Sequence, residues 1–260
     1  MRWYSMIVRE HEREFTMIEQ HHHADTSFQI MGNWREDLFK KNALRKSVEY
    51  AIAKHDCGWQ PFDIEPFWNE KDQAPYTFMN FPEPAKIVLY KKGIDEVEAS
   101  DPYAAALCSE HYSRFLVNNK DHASRKFIQH EKERRERIFS SISSFDQDAF
   151  DFHYALLQLG DNLSLYLCLN EPEPTAESIH PFFKKGVAVS EPLKSFLDGT
   201  IQPNWKRENH IHLDPFPFKK PFTVTLKQKT VKKTAISEQG LIDSYISTPY
   251  EELTYHFDEK

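Results

Sequence analysis

The chain has 260 residues, with 33 lysines and arginines against 40 aspartates and glutamates, for a formal net charge of −7. Apolar residues make up 40% and charged residues 28%, which is ordinary for a globular protein, while 20 Phe, 11 Tyr and 5 Trp exclude a disordered chain. The acidic balance argues against a nucleic-acid backbone as the main partner, no long uncharged apolar run is present to span a membrane, and the opening MRWYSMIVREHE has no apolar core followed by a small-residue cleavage site.

Residues 6–20 read as a short hairpin, with β-prone runs Met6–Val8 and Phe15–Ile18 either side of a charged stretch. From His21 to about Asn170 the dominant period is helical. Over 42–56, Leu44, Val48, Ala51, Ile52 and His55 share one face at spacings of three and four. The stretch Pro61–Pro84, with five prolines and many aromatics, forbids a regular helix. It reads equally as a functional lid or as a loop that lays its rings over the core. Asp101-Pro102 is a favourable helix start, and the helix behind it turns Tyr103, Leu107, His111 and Arg114 inward. Residues 124–145 form a charged surface helix, and 151–169 a mostly apolar one interrupted by Asp161. After Pro172 short β-prone runs take over, the clearest being Phe222–Leu226 and Leu241–Ile246. The expectation is a mainly α fold in three parts. A β-hairpin (1–20) packs on a helical core (21–175), and a β-rich appendage (176–260) follows without a Gly/Ser linker, so it is not an independent domain.

Three widely spaced cysteines, Cys57, Cys108 and Cys168, form neither a disulfide framework nor a CxxC pair, which makes a reducing cytoplasm the expected compartment. The local signal that carries chemistry is His55-Asp56 at the end of an amphipathic helix, in company with His23 and Asp161. A lone carboxylate on a buried helix face costs several kcal/mol unless paired or metal-bound, roughly the desolvation penalty of a charge. Imidazole and carboxylate together suit Zn, Mn or Fe. Taken singly, each residue is more often structural: Asp161 can pair with Arg45, and His23 can be exposed. As an ordered set, His23, His55, Asp56 and Asp161 can enclose one metal, with positions open for water and substrate.

The order His…His-Asp…Asp resembles the HD-domain superfamily, a helical fold in which many members are metal-dependent phosphohydrolases. The matching residues are His23, His55-Asp56 and Asp161 in GDNLSL. The chain is also similar to the family called domain of unknown function 3891. That similarity rests on MIVRE (6–10), Gln20, His23-Ala24, Arg45, HDCGW (55–59), Asp63, Pro66, DPYAAAL (101–107), Ser109-Glu-His111 and LLQLGDNLSLYLCL (156–169). The superfamily resemblance implies an HD-like helical core over roughly 20–170. It also implies a divalent transition metal (Zn, Mn or Fe) held by His23, His55, Asp56 and Asp161. One ion per chain comes first, and a second with His111 is the alternative. Cyclic-dinucleotide phosphodiesterases of the superfamily carry lysine in H-D-x-G-K, where this chain has Trp59, which argues against that substrate.

Asp56 and His111 are therefore the candidate catalytic residues. Arg45 and Arg114 are candidates to grip a phosphate bidentately, and Trp59 and Tyr103 to wall in a base or sugar, although arginines at such places are often surface pairs and aromatics plain core. Two decoys stand beside them. In His21-His22-His23 only the last fits the ligand position. His210-Ile-His212-Leu-Asp214 places two imidazoles and a carboxylate on one side of a strand, and reads better as an exposed polar face. The leading expectation is a hydrolase of a small phosphorylated molecule or nucleotide. The alternatives are a regulatory protein that binds without turnover and, as a minor reading, a di-iron oxygenase. Homo-oligomerisation stays open.

Overall fold

The computed structural model describes residues 6–207 and 209–259. The first five residues of the expected 1–20 segment and the last of the 176–260 segment lie outside these. About half of the described chain is helical.

The hairpin forms as its alternation dictates: β1 (Ile7–Glu10) pairs antiparallel with β2 (Glu14–Ile18) in the register Ile7 to Ile18. The helical run begins with α1 (Gln20–Met31) and α2 (Arg45–Lys54). The proline-rich stretch makes only fragments, α3 (Gln60–Asp63) with Pro61 in its first turn, and the two-residue strands β3 (Trp68–Asn69) and β4 (Ala74–Pro75). Its last residues open a helix that the periodicity had not singled out, α4 (Glu83–Ser100), with Pro84 tolerated in the first turn where no intrahelical N–H bond is lost.

The next three helices start at aspartate caps. Asp101 accepts from Ala104 N at 2.9 Å to open α5 (Pro102–Leu116), Asp121 from Ser124 N to open α6 (His122–Ser141), and Asp146 from Ala149 N to open α7 (Gln147–Leu169). The expected charged helix over 124–145 thus ends earlier, at Ser141, because Ser144 takes a positive φ of 61° and Asp146 already caps the next helix. α7 is buried along most of its length and is the axle of the core, with α1, α2 and α5 packed around it.

Beyond α7 come two short strands, β5 (Val187–Ala188) and β6 (Thr200–Ile201), then β7 (Asn204–Arg207), β8 (His210–Leu213), β9 (Phe222–Lys232), the helices α8 (Lys233–Gln239) and α9 (Leu241–Ser247), and β10 (Glu251–Glu259). The expected strand at Leu241–Ile246 is α9. Six residues read as an alternation, yet it is Leu241, Ser244 and Tyr245, at helical spacing, that are buried. The main sheet runs β1-β2-β9-β10-β8-β7, all antiparallel except β10 with β8. The hairpin and the C-terminal strands are therefore one sheet. α1 lies between β9 and α7, and Gln29 ties it to the sheet by accepting from Thr225 N at 2.8 Å.

Candidate metal centre

Four helices bring their polar residues to one point. α1 delivers His23 from its second turn. The N-terminus of α1 is held from outside: Asp63 Oδ2 accepts from Gln20 N at 2.9 Å, doing what the Glu19 side chain does not. α7 delivers Asp161, and the preceding Gly160 makes this possible. A Cβ there would stand 2.5 Å from Met31 Cγ and 2.6 Å from Ser27 Oγ, so only glycine lets α1 approach this closely. His55 and Asp56 follow the last turn of α2. The chain then turns through Cys57–Trp59 against α4, where a Cβ on Gly58 would lie 2.3 Å from the Leu89 carbonyl oxygen. α5 delivers His111.

The resulting geometry is tight. His23 Nε2 lies 2.9 Å from Asp161 Oδ1, 3.3 Å from His55 Nε2 and 3.8 Å from Asp56 Oδ2. His55 Nε2 is 3.5 Å from Asp161 Oδ1 and 3.6 Å from Asp56 Oδ2, while His111 Nε2 is 3.9 Å from Asp161 Oδ2. All five residues are buried. Two overlapping groups could hold a metal ion: His23, His55 and Asp56, and His55, His111 and Asp161.

Proton accounting shows why such a group fits. Ser164 Oγ donates to the Asp161 carbonyl oxygen at 3.0 Å, so it accepts from His23 Nδ1 at 2.9 Å. His55 Nδ1 donates to the Ile52 carbonyl at 2.7 Å. Both imidazoles direct their Nδ1 protons away from the centre and turn Nε2 lone pairs toward it. Two lone pairs and the carboxylates of Asp56 and Asp161 then face one another without a hydrogen between them. Such a set needs a cation, either a metal ion or an added proton. Without metal the proton is drawn in: burial pushes His55 down, but the Asp56 and Asp161 carboxylates outweigh it and raise its pKa to about 9. Burial pushes Asp161 up, and the close imidazoles of His23 and His55 more than reverse this, holding it well below the usual carboxylate range. Burial lowers His111 to about 4, so it is neutral at neutral pH. Tyr112 donates to Asp56 Oδ1 at 3.2 Å and fixes that carboxylate.

The centre forms the floor of a cleft of about 380 Å³. His23, Asp56, His111 and Asp161 reach its surface, and His55, fully buried, stands behind them. Trp59 is a wall of this cleft, braced edge-on by Phe81 and Tyr90 at ring separations of 5.6 and 5.8 Å. The other three expected substrate-binding residues lie elsewhere. Arg45 donates to Glu49 at 2.7 Å and to the Trp34 carbonyl at 3.0 Å, Arg114 is held by Glu110 at 2.7 Å over the Tyr154 ring, and Tyr103 shares a hydrogen bond with His153 at 2.7 Å. None of the three lines the cleft. The cation that does is Lys86, on α4. Ser164 and Tyr112 were also not assigned roles from sequence, although each sits within three residues of a residue that was. His210 and His212 face outward from β8, with His210 3.3 Å from Asp258, and belong to neither metal-capable group.

A core of helices around buried imidazoles and carboxylates defines a protein with a candidate metal-binding cleft. Residues 6–233 match the family model described as Protein of unknown function (DUF3891), so the chain belongs to that family. No curated protein and no solved structure matches the chain. Among the described residues no helix is long and apolar enough to cross a membrane.

Proposed function

We propose that this protein is a metal-dependent phosphohydrolase of HD type, acting on a small phosphate ester in the cytoplasm. One observation carries the reading: the Nε2 lone pairs of His23 and His55 converge with the Asp56 and Asp161 carboxylates on the floor of a cleft large enough for a small molecule. A divalent cation bound there supplies Lewis acidity and makes water a better nucleophile near neutral pH. His23, His55, Asp56 and Asp161 would hold it. In the reaction a water oxygen bonds to phosphorus as the bond to the ester oxygen breaks. Asp56, at the cleft surface and oriented by Tyr112, takes the water proton and hands it to the leaving oxygen, which departs as an alcohol. His111 is held neutral by burial, which suits it to a ligand or hydrogen-bonding role rather than to that of a proton donor.

The second metal-capable group, His55, His111 and Asp161, supports a two-metal centre as the alternative. The test is metal content by plasma mass spectrometry for the wild type and Asp56→Ala, with a phosphate-ester screen in Zn, Mn, Fe and Mg. About one equivalent of metal in the wild type and none in the variant, with turnover lost about 1000-fold or more, is expected from removing a ligand that also orients water. Two equivalents of iron with oxygen consumption would redirect the reading to an oxygenase. Unchanged metal in Asp56→Ala would end it, and metal without turnover would leave a binding protein.

A further inference from the structure

The phosphohydrolase reading fixes a reaction type but no substrate. The cleft itself narrows that choice. Apart from the metal-centre residues, its only charged lining groups among the described residues are Lys86 and Glu83. Lys86 is 9% exposed, and burial lowers its pKa. Its ammonium is poorly served: the Met79 carbonyl stands 3.5 Å away and Glu83 3.9 Å. A buried ammonium with weak partners is a vacancy for an anion.

The remaining walls are mostly apolar, with the amides of Gln20, Asn119 and Asn162 among them. Trp59, Tyr90 and Leu165 line the interior, and Met79, Phe115 and Phe182 line the way in. Those last three are 43%, 54% and 58% exposed, so large apolar groups stand in water at the mouth. They come from the 61–84 stretch, the end of α5 and the segment after α7, three separate parts of the chain that meet at this cleft. Apolar groups gathered around an opening in this way mark a binding surface.

Resting on the hydrolytic reading, we propose that the cleft takes a phosphate monoester whose organic part is an apolar, ring-bearing group, with Lys86 gripping the phosphoryl oxygens and Phe115 and Phe182 covering the ring. Lys86 is a binding residue that adds a positive charge beyond the metal centre, where net charge would otherwise be set by Asp56, Asp161 and Glu83.

The test uses the full chain loaded with Mn or Zn and two non-hydrolysable probes, phenylphosphonate and methylphosphonate, with affinities from calorimetry. Phenylphosphonate should bind at least about 10-fold more tightly, the worth of burying part of one ring. Phe115→Ala, at a largely exposed side chain, should cut that preference to about 3-fold or less. Lys86→Met should weaken both probes about 10-fold or more, and Lys86→Arg should restore most of the loss. Equal binding of the two probes overturns the proposal, as does a Lys86→Met variant of unchanged melting temperature that binds as well as the wild type. The two readings fail separately. If the probes behave as expected but no phosphate ester is hydrolysed with any metal, the hydrolytic reading falls and the ligand class stands. If esters are hydrolysed and glycerol 2-phosphate is used as well as phenyl phosphate, the reaction stands and the ligand class falls.

Discussion

Arg134 on α6 and His55 behind the cleft are both buried, and each meets carboxylates. Arg134 Nε lies 2.9 Å from Glu131, which is fully buried, and the same guanidinium pairs with Asp95 and Glu98 of α4. Arg137 adds a second cation to Glu98 at 2.6 Å. Here the positive charge is covalent and permanent. The candidate metal centre gathers two carboxylates but supplies no permanent cation, and the Nδ1 protons of His23 and His55 are committed elsewhere. A buried ionic cluster that is complete locks two helices together. One without a permanent cation has a place for a metal ion or a proton.

Breaking each cluster should therefore give opposite results. Arg134→Met takes the guanidinium from fully buried Glu131 and leaves His130 Nδ1, at 3.0 Å, as its remaining side-chain partner. The expected loss is about 3–5 kcal/mol of stability, with metal content unchanged. The Asp56→Ala variant should do the reverse, losing metal with a smaller change in metal-free stability. Calorimetric melting beside metal analysis separates the two, and metal loss in Arg134→Met would erase the contrast.

pH sharpens it further. In the metal-free protein His55 titrates near 9, above the ordinary imidazole value of about 6.5 expected in the unfolded chain. Between those values the folded state holds a proton that the unfolded chain has lost. The stabilisation is complete below about pH 6.5 and is lost as pH rises through about 9, on the order of a few kcal/mol. Denaturant unfolding in chelator should show this fall, and His55→Gln should flatten it. Saturating metal should also flatten it, because the ion replaces the proton. A fall of equal size in His55→Gln would assign the effect to another group.

The smallest expected effect is at Ser164. Ser164→Ala removes the acceptor that fixes the His23 ring, and metal affinity should drop by about 10–100-fold with the fold intact. Competition with a fluorescent chelator measures it, and unchanged affinity would mean that packing alone orients the ring.

The centre was legible because its residues announce themselves locally. His55-Asp56 ends an amphipathic run, and Asp161 interrupts an apolar one. The anion-binding arginines were not, although the sequence held the warning. Arg45 precedes Glu49, and Glu110 precedes Arg114, each by four residues, the spacing at which a helix pairs charges on its own surface. Lys86 was hidden because its helix opens inside a proline-rich stretch, and no local pattern marks which lysine a distant loop will bury. The strand expected at Leu241–Ile246 failed for a related reason: over six residues, alternation and helical spacing select overlapping sets. The sheet could not be read at all, since pairing β2 with β9 depends on register between distant segments.

That pairing has a consequence in time. On the ribosome, Phe15 emerges roughly 200 residues before Val231, its partner across the sheet. α1, α2, α5 and α7 can assemble as they are made, bringing His23, His55 and Asp161 together while the sheet is still half built. Through that interval the edge of β2 stands open, with buried-to-be Phe15 and Met17 along it. The growing chain can thus gather its candidate metal ligands before it closes its surface.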